Sequence, residues 1–323
     1  MGVRVRTSRG AHRPAACPSA ELLSAARASA PVEAVAVNPA TGQQLFNRAV
    51  RLTIANADGS TALQTTGLRV QFKVKKSSRF EPNTAEIQVF NLNRDHRAAL
   101  KDRGAAVVLE AGYTNTLAQI FSGNARTIDS IFQKPDWVSR IQCGDGEQAF
   151  QFSRISKGYG PGTSLATMVK DAAGQIGSMT ADTVKTLAGM VGQSFAGGAV
   201  MQGKASTELT KLLAGRGYEW SIQDGKVQIL PNGAATSETA VVVSPSTGLI
   251  GSPEHGTPEP TVERDRSHVL KFRSLLQASF KPGALCSIQS AFVTGLYRCW
   301  TVEHRGDTHS GEWISEVEAT PTS

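Results

Sequence analysis

No stretch of 18 consecutive apolar residues occurs in the 323-residue chain, so the sequence offers no membrane-crossing helix. Cysteine is sparse: Cys17, Cys143, Cys286 and Cys299 are scattered, with no CxxC pair. That spacing argues against a zinc module or a disulfide scaffold and fits a reduced cytosolic protein. Aromatic residues make up 6% and charged residues 19%, while hydrophobic residues reach 40%, the balance of a folded chain rather than a disordered one. No GxSxG, HExxH or Cys/His nucleophile pattern is present.

Positive charge is in mild excess, at +7. The first forty residues hold Arg4, Arg6, Arg9, Arg13 and Arg27 against Glu21 and Glu33, which accounts for three charges and leaves the body four. The densest basic clusters of the body, Lys73-Lys75-Lys76-Arg79 and Arg264-Arg266, are short. A dedicated nucleic-acid binder concentrates its cations in one patch. These clusters read instead as a solvated edge-strand face.

What is plentiful is glycine, 31 residues, beside alternating apolar runs. Residues 1–44 are rich in Ala, Arg, Ser and Pro and read as a disordered arm, with a short helix possible over Ser19 to Ala28. From Leu45 onward, Val50-Leu52-Ile54, Leu68-Val70-Phe72-Val74, Ala85 to Phe90, Val107 to Tyr113, Ala118 to Ile131 and Trp137 to Cys143 alternate as strands. Asp58-Gly59, Pro82-Asn83 and Asp145-Gly146 mark turns between or after them, and Asn93 caps a short helix to about Leu100. Such spacing predicts a sandwich or barrel over residues 45–160.

The period then changes. Thr163 or Ser164 caps a helix with Leu165, Met168, Val169, Ala172 and Ile176 on one face, and Val184, Leu187 and Val191 mark a weaker second helix. Gly192 to Gly203 reads as a loop, and Ser206 as the cap of a third helix with Leu209, Leu212 and Leu213 inward. Tyr218-Trp220-Ile222, Asp224-Gly225 and Val227-Ile229 form the clearest hairpin, closed by Pro231. Residues 161–235 are thus a small helix-plus-hairpin domain. Beyond it come Ala240 to Val243, a tight irregular Thr247 to Pro253 and a mobile His255 to Arg266. Val269 to Leu276, Leu285 to Ser290, Gly295 to His304 and Glu312 to Ala319 are strands of a second β region over residues 236–323.

Each chemistry-bearing cluster has a plain structural reading beside its functional one. His304, Asp307 and His309 are a possible ligand set but lack a fourth ligand, so a polar strand-to-strand loop is the preferred reading. Asp145 and Glu147 resemble a paired-carboxylate site only in spacing, and a turn role for Asp145-Gly146 is preferred. Ser156 to Thr163 is Gly-rich but lacks the Gly-Lys-Thr/Ser order of a phosphate loop, and reads as a linker into a capped helix. Cys286 and Cys299 read as two buried thiols, and Trp137, Trp220, Trp300 and Trp313 as core. No catalytic, cofactor-binding or metal-ligating residue is assigned, and no cofactor is expected.

Several segments, in order, resemble a known family: Phe72-Lys73-Val74 with Pro82-Asn83-Thr84-Ala85 and Val89-Phe90-Asn91-Leu92; Ala111-Gly112-Tyr113 with Ile120-Phe121-Ser122-Gly123; Asp136-Trp137 leading to Cys143-Gly144-Asp145-Gly146. Trp220-Ser221-Ile222, Gly248 to Pro253, Pro282-Gly283 and Val302 to Thr308 follow. Together, over roughly Leu45 to Ala319, they resemble the baseplate or tail-tip hub proteins of tailed phages. The resemblance implies two tail-tube-like β-barrel domains separated by the helix-plus-hairpin domain. It implies a homotrimer that joins a six-fold tail tube to a three-fold spike and keeps a channel for genome passage. The implied partners are tail-tube or distal tail proteins, a spike and a tape-measure protein, with DNA only as transient cargo and no stable membrane association. The implied location is the virion tail, after assembly in the host cytoplasm. A cell-wall-degrading tail enzyme and a nucleic-acid-binding protein are the alternatives.

Overall fold

The computed structural model describes residues 47–56, 61–100, 104–256 and 269–322, with the backbone alone at residues 61 and 62. The expected arm with its helix, Cys17, the Asp58-Gly59 turn, Arg264-Arg266 and most of the loop after His255 lie outside the described residues.

Alternating β-branched and polar residues make the first β region. Its strands are β1 (Arg48–Ala55), β2 (Thr61–Thr65), β3 (Val70–Ser77), β4 (Thr84–Phe90), β5 (Ala106–Tyr113), β6 (Ala118–Gln133) and β7 (Asp136–Gly144). In β1 and β3 every second side chain is buried, as one-sided burial of a pleated strand requires. Helix α1 (Arg94–Ala99) starts where the Asn93 side chain accepts the His96 N–H at 2.7 Å, the expected cap.

The middle region opens with α2 (Glu147–Phe152), β8 (Arg154–Tyr159) and β9 (Thr163–Ser164). It continues with α3 (Leu165–Ile176), β10 (Ser178–Met179), α4 (Ala181–Gly189), β11 (Ser194–Phe195), β12 (Ala199–Lys204), α5 (Ala205–Leu213) and the hairpin β13 (Tyr218–Gln223) with β14 (Lys226–Pro231). Ser164 caps α3, accepting from the Thr167 N–H, and Leu165, Met168, Val169, Ala172 and Ile176 are all buried. Asp224 and Gly225 both take positive φ, 53° and 78°, the two-residue turn that matches strand twist.

Four expectations here are overturned. The stretch from Gly192 to Gly203 is not a loop, because β12 pairs antiparallel with β8 from Ala199–Tyr159 to Lys204–Arg154. By the same pairing Ser156 to Tyr159 is strand rather than linker. Its partner lies some forty residues away, so no local signal marks it. Ser206 is not a cap: it lies inside α5, and its hydroxyl donates to the Phe150 carbonyl at 3.0 Å. In α4 the inward residues are Thr183 and Leu187, while Val184 is exposed, because the Thr183 hydroxyl replaces an apolar contact by donating to the Val227 carbonyl.

The second β region comprises β15 (Val241–Val243), a 3-10 turn at Pro245–Thr247, β16 (Leu249–Gly256), β17 (Val269–Leu275), β18 (Leu285–Gln289), β19 (Thr294–Asp307) and β20 (Trp313–Pro321). Its strands are not a separate sheet. One 13-stranded sheet runs β16-β17-β20-β19-β3-β4-β7-β6-β5-β1-β2, with β15 and β18 branching from β19. Three cores lie along the chain. One is built mainly from residues 50–143, with Leu276 and Trp313 joining it. Another spans Ile155 to Ile229, with Phe150 packed against it, and the third runs from Val243 to Ala319.

The two β regions repeat one topology that no sequence repeat announces. The order β3-β4-β7-β6 is matched by β16-β17-β20-β19, and β5 flanks β6 as β18 flanks β19. Strand lengths match as well: 8 residues in β3 and β16, 7 in β4 and β17, 9 in β7 and β20.

Candidate functional site

The joint between the two β regions is the antiparallel pairing of β19 with β3, from Thr301 opposite Ser77 to Asp307 opposite Gln71. At one end the Asp307 carboxylate accepts from Arg69 at 2.7 Å and 3.2 Å, from Gln71 at 2.7 Å and from the His309 N–H at 2.9 Å. Partial burial alone would raise its pKa, but these donors outweigh burial and hold it well below the usual carboxylate range. Next to it, Gly306 lets the rings of Phe72 and Trp313 meet edge to face at 5.4 Å; a Cβ there would lie 2.4 Å from Phe72 Cζ and 2.7 Å from Trp313 Cε3.

Lys73, Lys75 and Lys76 therefore do not lie on an edge: β3 is flanked by β4 and β19. Lys76 is only 2% exposed, and its ammonium meets Asp224 at 2.7 Å. His304 to Asp307 are not a loop either, since they close β19. His304 is buried, with Nδ1 2.8 Å from Ser315 Oγ. Burial first, then the nearby Lys76 charge, push its pKa down to about 3, against a bond to the Phe280 backbone, so it is neutral at physiological pH. His304, Asp307 and His309 do not converge, and among the described residues no cluster of three or more His, Cys, Asp or Glu side chains could hold a metal.

A second joint fastens the helix-plus-hairpin region to the sheet. Asp145, at the end of β7, is fully buried and accepts from the Asp224 N–H at 2.7 Å, the Gly225 N–H at 2.6 Å and Asn83 Nδ2 at 3.1 Å. Asn83 also donates to the Ile222 carbonyl at 2.7 Å, and Asp224 Oδ1 accepts from the Ser122 N–H at 3.1 Å. Burial, with Asp224 adding to it, raises the Asp145 pKa to about 6, although Lys76, Gly225 and Asn83 pull the other way. Asp145 does more than shape a turn: it receives the tip of the β13–β14 hairpin. Gly146 takes φ 61°, and a Cβ there would come 2.9 Å from Ile222 Cγ2, so glycine is what lets the hairpin approach. Glu147 does not share a strand face with Asp145; it starts α2 and pairs with Arg126. On the other flank, buried Arg298 of β19 pairs with Glu219, and Gln228 donates to the Pro282 carbonyl at 3.2 Å. The hairpin thus holds both β regions at once.

Sequence reading missed this cluster because Asn83, Asp145 and Asp224-Gly225 each look like ordinary turn residues. Their coincidence around one buried carboxylate is a tertiary fact. Among the tryptophans, Trp220, Trp300 and Trp313 are buried as expected, but Trp137 is 39% exposed. It lies near the tip of the β6–β7 hairpin, where Arg97 stacks 4.1 Å from its ring and Phe132 packs at 5.4 Å. Cys286 and Cys299 are buried in one core, and the hydrogen bond between the two thiols, followed by burial, raises the Cys299 pKa.

One face of the long sheet is polar across both β regions. Its register rows read Arg273–Glu316–Glu303–Lys75, then Arg305–Lys73–Glu86–Gln142, then Gln71–Gln88–Arg140–Asp129. Opposite signs meet along it, as in Lys271–Glu318 at 2.7 Å, Arg273–Glu316 at 2.8 Å and Lys73–Glu303 at 3.4 Å. Exposed pairs of this kind add little stability each, but they leave the face wet and close to neutral. Among the described residues no helix is long and apolar enough to cross a membrane.

Comparison with solved structures gives the same architecture. A 43 kDa tail protein of prophage MuSo2 from Shewanella oneidensis superposes with a TM-score of 0.60 at 9% identity, over 85% of this chain and 97% of that one. A tail protein from Neisseria meningitidis MC58 does so with a TM-score of 0.57 at 9% identity, over 85% and 97%. The E. coli c3393 protein, described as a type VI secretion component with structural similarity to the T4 bacteriophage tail proteins gp27 and gp5, scores 0.53 at 11% identity, over 79% and 74%. At such identities the likeness is one of fold: mainly β, tail-tube-like, with a small helical insert. A search of curated proteins returns no match. The model of the Baseplate hub gp41 family matches residues 49–258, more than half of the chain. The chain therefore belongs to the Baseplate hub gp41 family, with a structural role at the tip or baseplate of a phage tail.

Proposed function

We propose that three copies of this chain close into a ring at the tail tip, joining a six-fold tail tube to a three-fold spike around a channel for the genome. The observation that carries the reading is the repeated topology of the two β regions. Two like units per chain and three chains per ring present six like units to a six-fold tube. The charge-compensated face common to both regions suits the channel wall, because a nearly neutral polar wall lets DNA slide where a basic one would grip phosphates. DNA is then transient cargo, not a stable ligand. The partners on this reading are tail-tube or distal tail proteins above, the spike below and the tape-measure protein within. Assembly takes place in the host cytoplasm, without stable membrane association.

The proposed organisation is two tube-like domains, over residues 45–160 and 236–323, around a helix-plus-hairpin domain at 161–235. The packing of Phe150 and Ile155 with the insert draws the first division back towards Asp145. The role proposed is non-enzymatic. Asp145, one of the two carboxylates in the paired spacing, and Asp307, from the possible ligand set, are each engaged by three or more donors that fasten joints of the fold.

Light scattering on a size-exclusion column tests the ring, with negative-stain images of the same peak. A trimer with a central hole is the expected result. A monomer at every concentration, with no incorporation into tails, overturns the reading. Peptidoglycan clearing by the purified protein that is lost in Asp307→Asn would favour the enzyme instead.

A further inference from the structure

We infer that the β13–β14 hairpin is a strut that sets the angle between the two β regions, seated on one buried cation in each. The strut is a property of the single chain; its consequence for assembly rests on the ring reading above.

A matched pair of contacts carries the inference. Among the described residues two Lys or Arg side chains are buried, Lys76 in the first β region and Arg298 in the second. The carboxylates that meet them come from the same hairpin. The Lys76 ammonium lies 2.7 Å from Asp224 at the hairpin tip, and Arg298 pairs with Glu219 on β13. Glycine admits the hairpin on both sides as well. Gly146 does so beside the first region. Beside the second stands Gly283, at φ 89°, where a Cβ would lie 2.7 Å from Gln228 Nε2 and 3.2 Å from Leu230 Cδ1. Apolar residues in place of a buried ion pair are often as stable or more so. What such a pair adds is position, because a cation sealed from water is tolerated only with its partner in place. The hairpin therefore has one seat in each β region.

The contacts span the joint rather than one side of it. Five neighbouring strands of the sheet run β18-β19-β3-β4-β7. The hairpin touches Pro282 just ahead of β18, Arg298 on β19, Lys76 on β3, Asn83 just ahead of β4 and Asp145 just after β7. At the junction itself Gln223 Nε2 donates to the Ser77 carbonyl at 2.8 Å. Two strands on one side of the β19–β3 joint and three on the other are thus fastened to a single rigid ribbon.

The joint needs such a ribbon. One antiparallel strand pair fixes register but not angle, since neighbouring strands twist against each other by anything from about 10° to about 35°. The pairing from Thr301–Ser77 to Asp307–Gln71 is by itself a hinge. Six like units in a ring divide the turn into steps of about 60°. A freedom of about 10° at each of three internal joints accumulates to about 30°, half a step, and a ring with that error does not close. Seats on both sides of the hinge remove the freedom within each chain before chains meet.

The test reads the angle as a distance in the full chain. On a Cys17→Ser background, Gln142→Cys on β7 and Arg273→Cys on β17 carry spin labels; both sites are exposed, and five strand spacings put them about 24 Å apart. Dilution with unlabelled chain leaves at most one labelled copy per particle. Pulsed dipolar spectroscopy should give one narrow distance distribution. Arg298→Met with Glu219→Gln removes the second seat and should widen it by at least about twofold. Lys76→Met removes the first seat and should widen it as well, so either variant decides the matter if the other does not fold. Arg51→Met breaks the Arg51–Glu110 pair, away from the hairpin, and should leave it unchanged. A distribution that stays narrow in a seat variant that still unfolds cooperatively in urea overturns the strut, and so does a wild-type distribution that is already broad. Light scattering on the same proteins separates the strut from the ring. The expected result is a trimer for the wild type and a mixture of smaller species for Arg298→Met/Glu219→Gln. A variant that widens yet still forms only trimers overturns the consequence for assembly. A wild-type monomer overturns the ring reading, while the distances still decide the strut.

Discussion

Asp145→Asn is the sharpest probe of the joint between insert and sheet. The wild-type carboxyl rises from an ordinary 3.8 to about 6 on folding, because burial and the neighbouring Asp224 charge outweigh Lys76 and the donors from Gly225 and Asn83. A raised folded pKa means that the folded state binds more protons than the unfolded state between those values. The stability this group contributes is complete below pH 3.8 and is lost as pH rises through about 6. Two pKa units correspond to about 3 kcal/mol. Asparagine has the same shape and no charge, but it turns one acceptor oxygen into a donor that faces buried N–H groups, at a cost of about 1–3 kcal/mol. The variant should therefore be clearly less stable than wild type near pH 4. The gap should close by about 3 kcal/mol by pH 7.5, leaving the two nearly equal. Urea unfolding followed through the fluorescence of buried Trp220, on the hairpin itself, reads the difference at both pH values. A gap that stays constant, or widens as pH rises, would refute the assignment of Asp145 as a buried carboxylate that strains against its own ionisation.

Three further outcomes follow from the same geometry. Arg69→Ala should lower stability at neutral pH by roughly 1–2 kcal/mol. Because the Asp307 pKa is depressed, its stabilising contribution is present above the ordinary carboxylate range and fades as pH falls towards the folded value, so the effect of Arg69→Ala should shrink in acid denaturation curves. Gly306→Ala places a methyl group against Phe72 and Trp313 and should cost about 1–3 kcal/mol in thermal melts; an unchanged melting point would show that the β19–β3 joint yields easily. Cys143, Cys286 and Cys299 are all buried and should resist Ellman's reagent until the chain unfolds. Rapid modification of more than one thiol in the native protein would contradict their burial.

Much of this molecule was decided by the sequence alone. Alternation at Val50-Leu52-Ile54 and Val70-Phe72-Val74, the caps at Asn93 and Ser164, and the Asp224-Gly225 hairpin are all local effects, and local effects leave local signals. The family was legible in the same way, through turns and strands in a fixed order. What only the tertiary structure decided is which elements meet. Strand β3 joins β19 across more than two hundred residues, which merges two β regions into one sheet. β8 and β12 form a ribbon although each lies in or beside a Gly-rich stretch and carries no strand signal of its own. Asp145 serves as the receptor of a distant turn. The physical reason is common to all three. A backbone edge or a carboxylate presents the same hydrogen-bonding groups wherever it occurs, so its partner is set by what folding brings within about 3 Å and seals from water, not by the residues beside it in the chain.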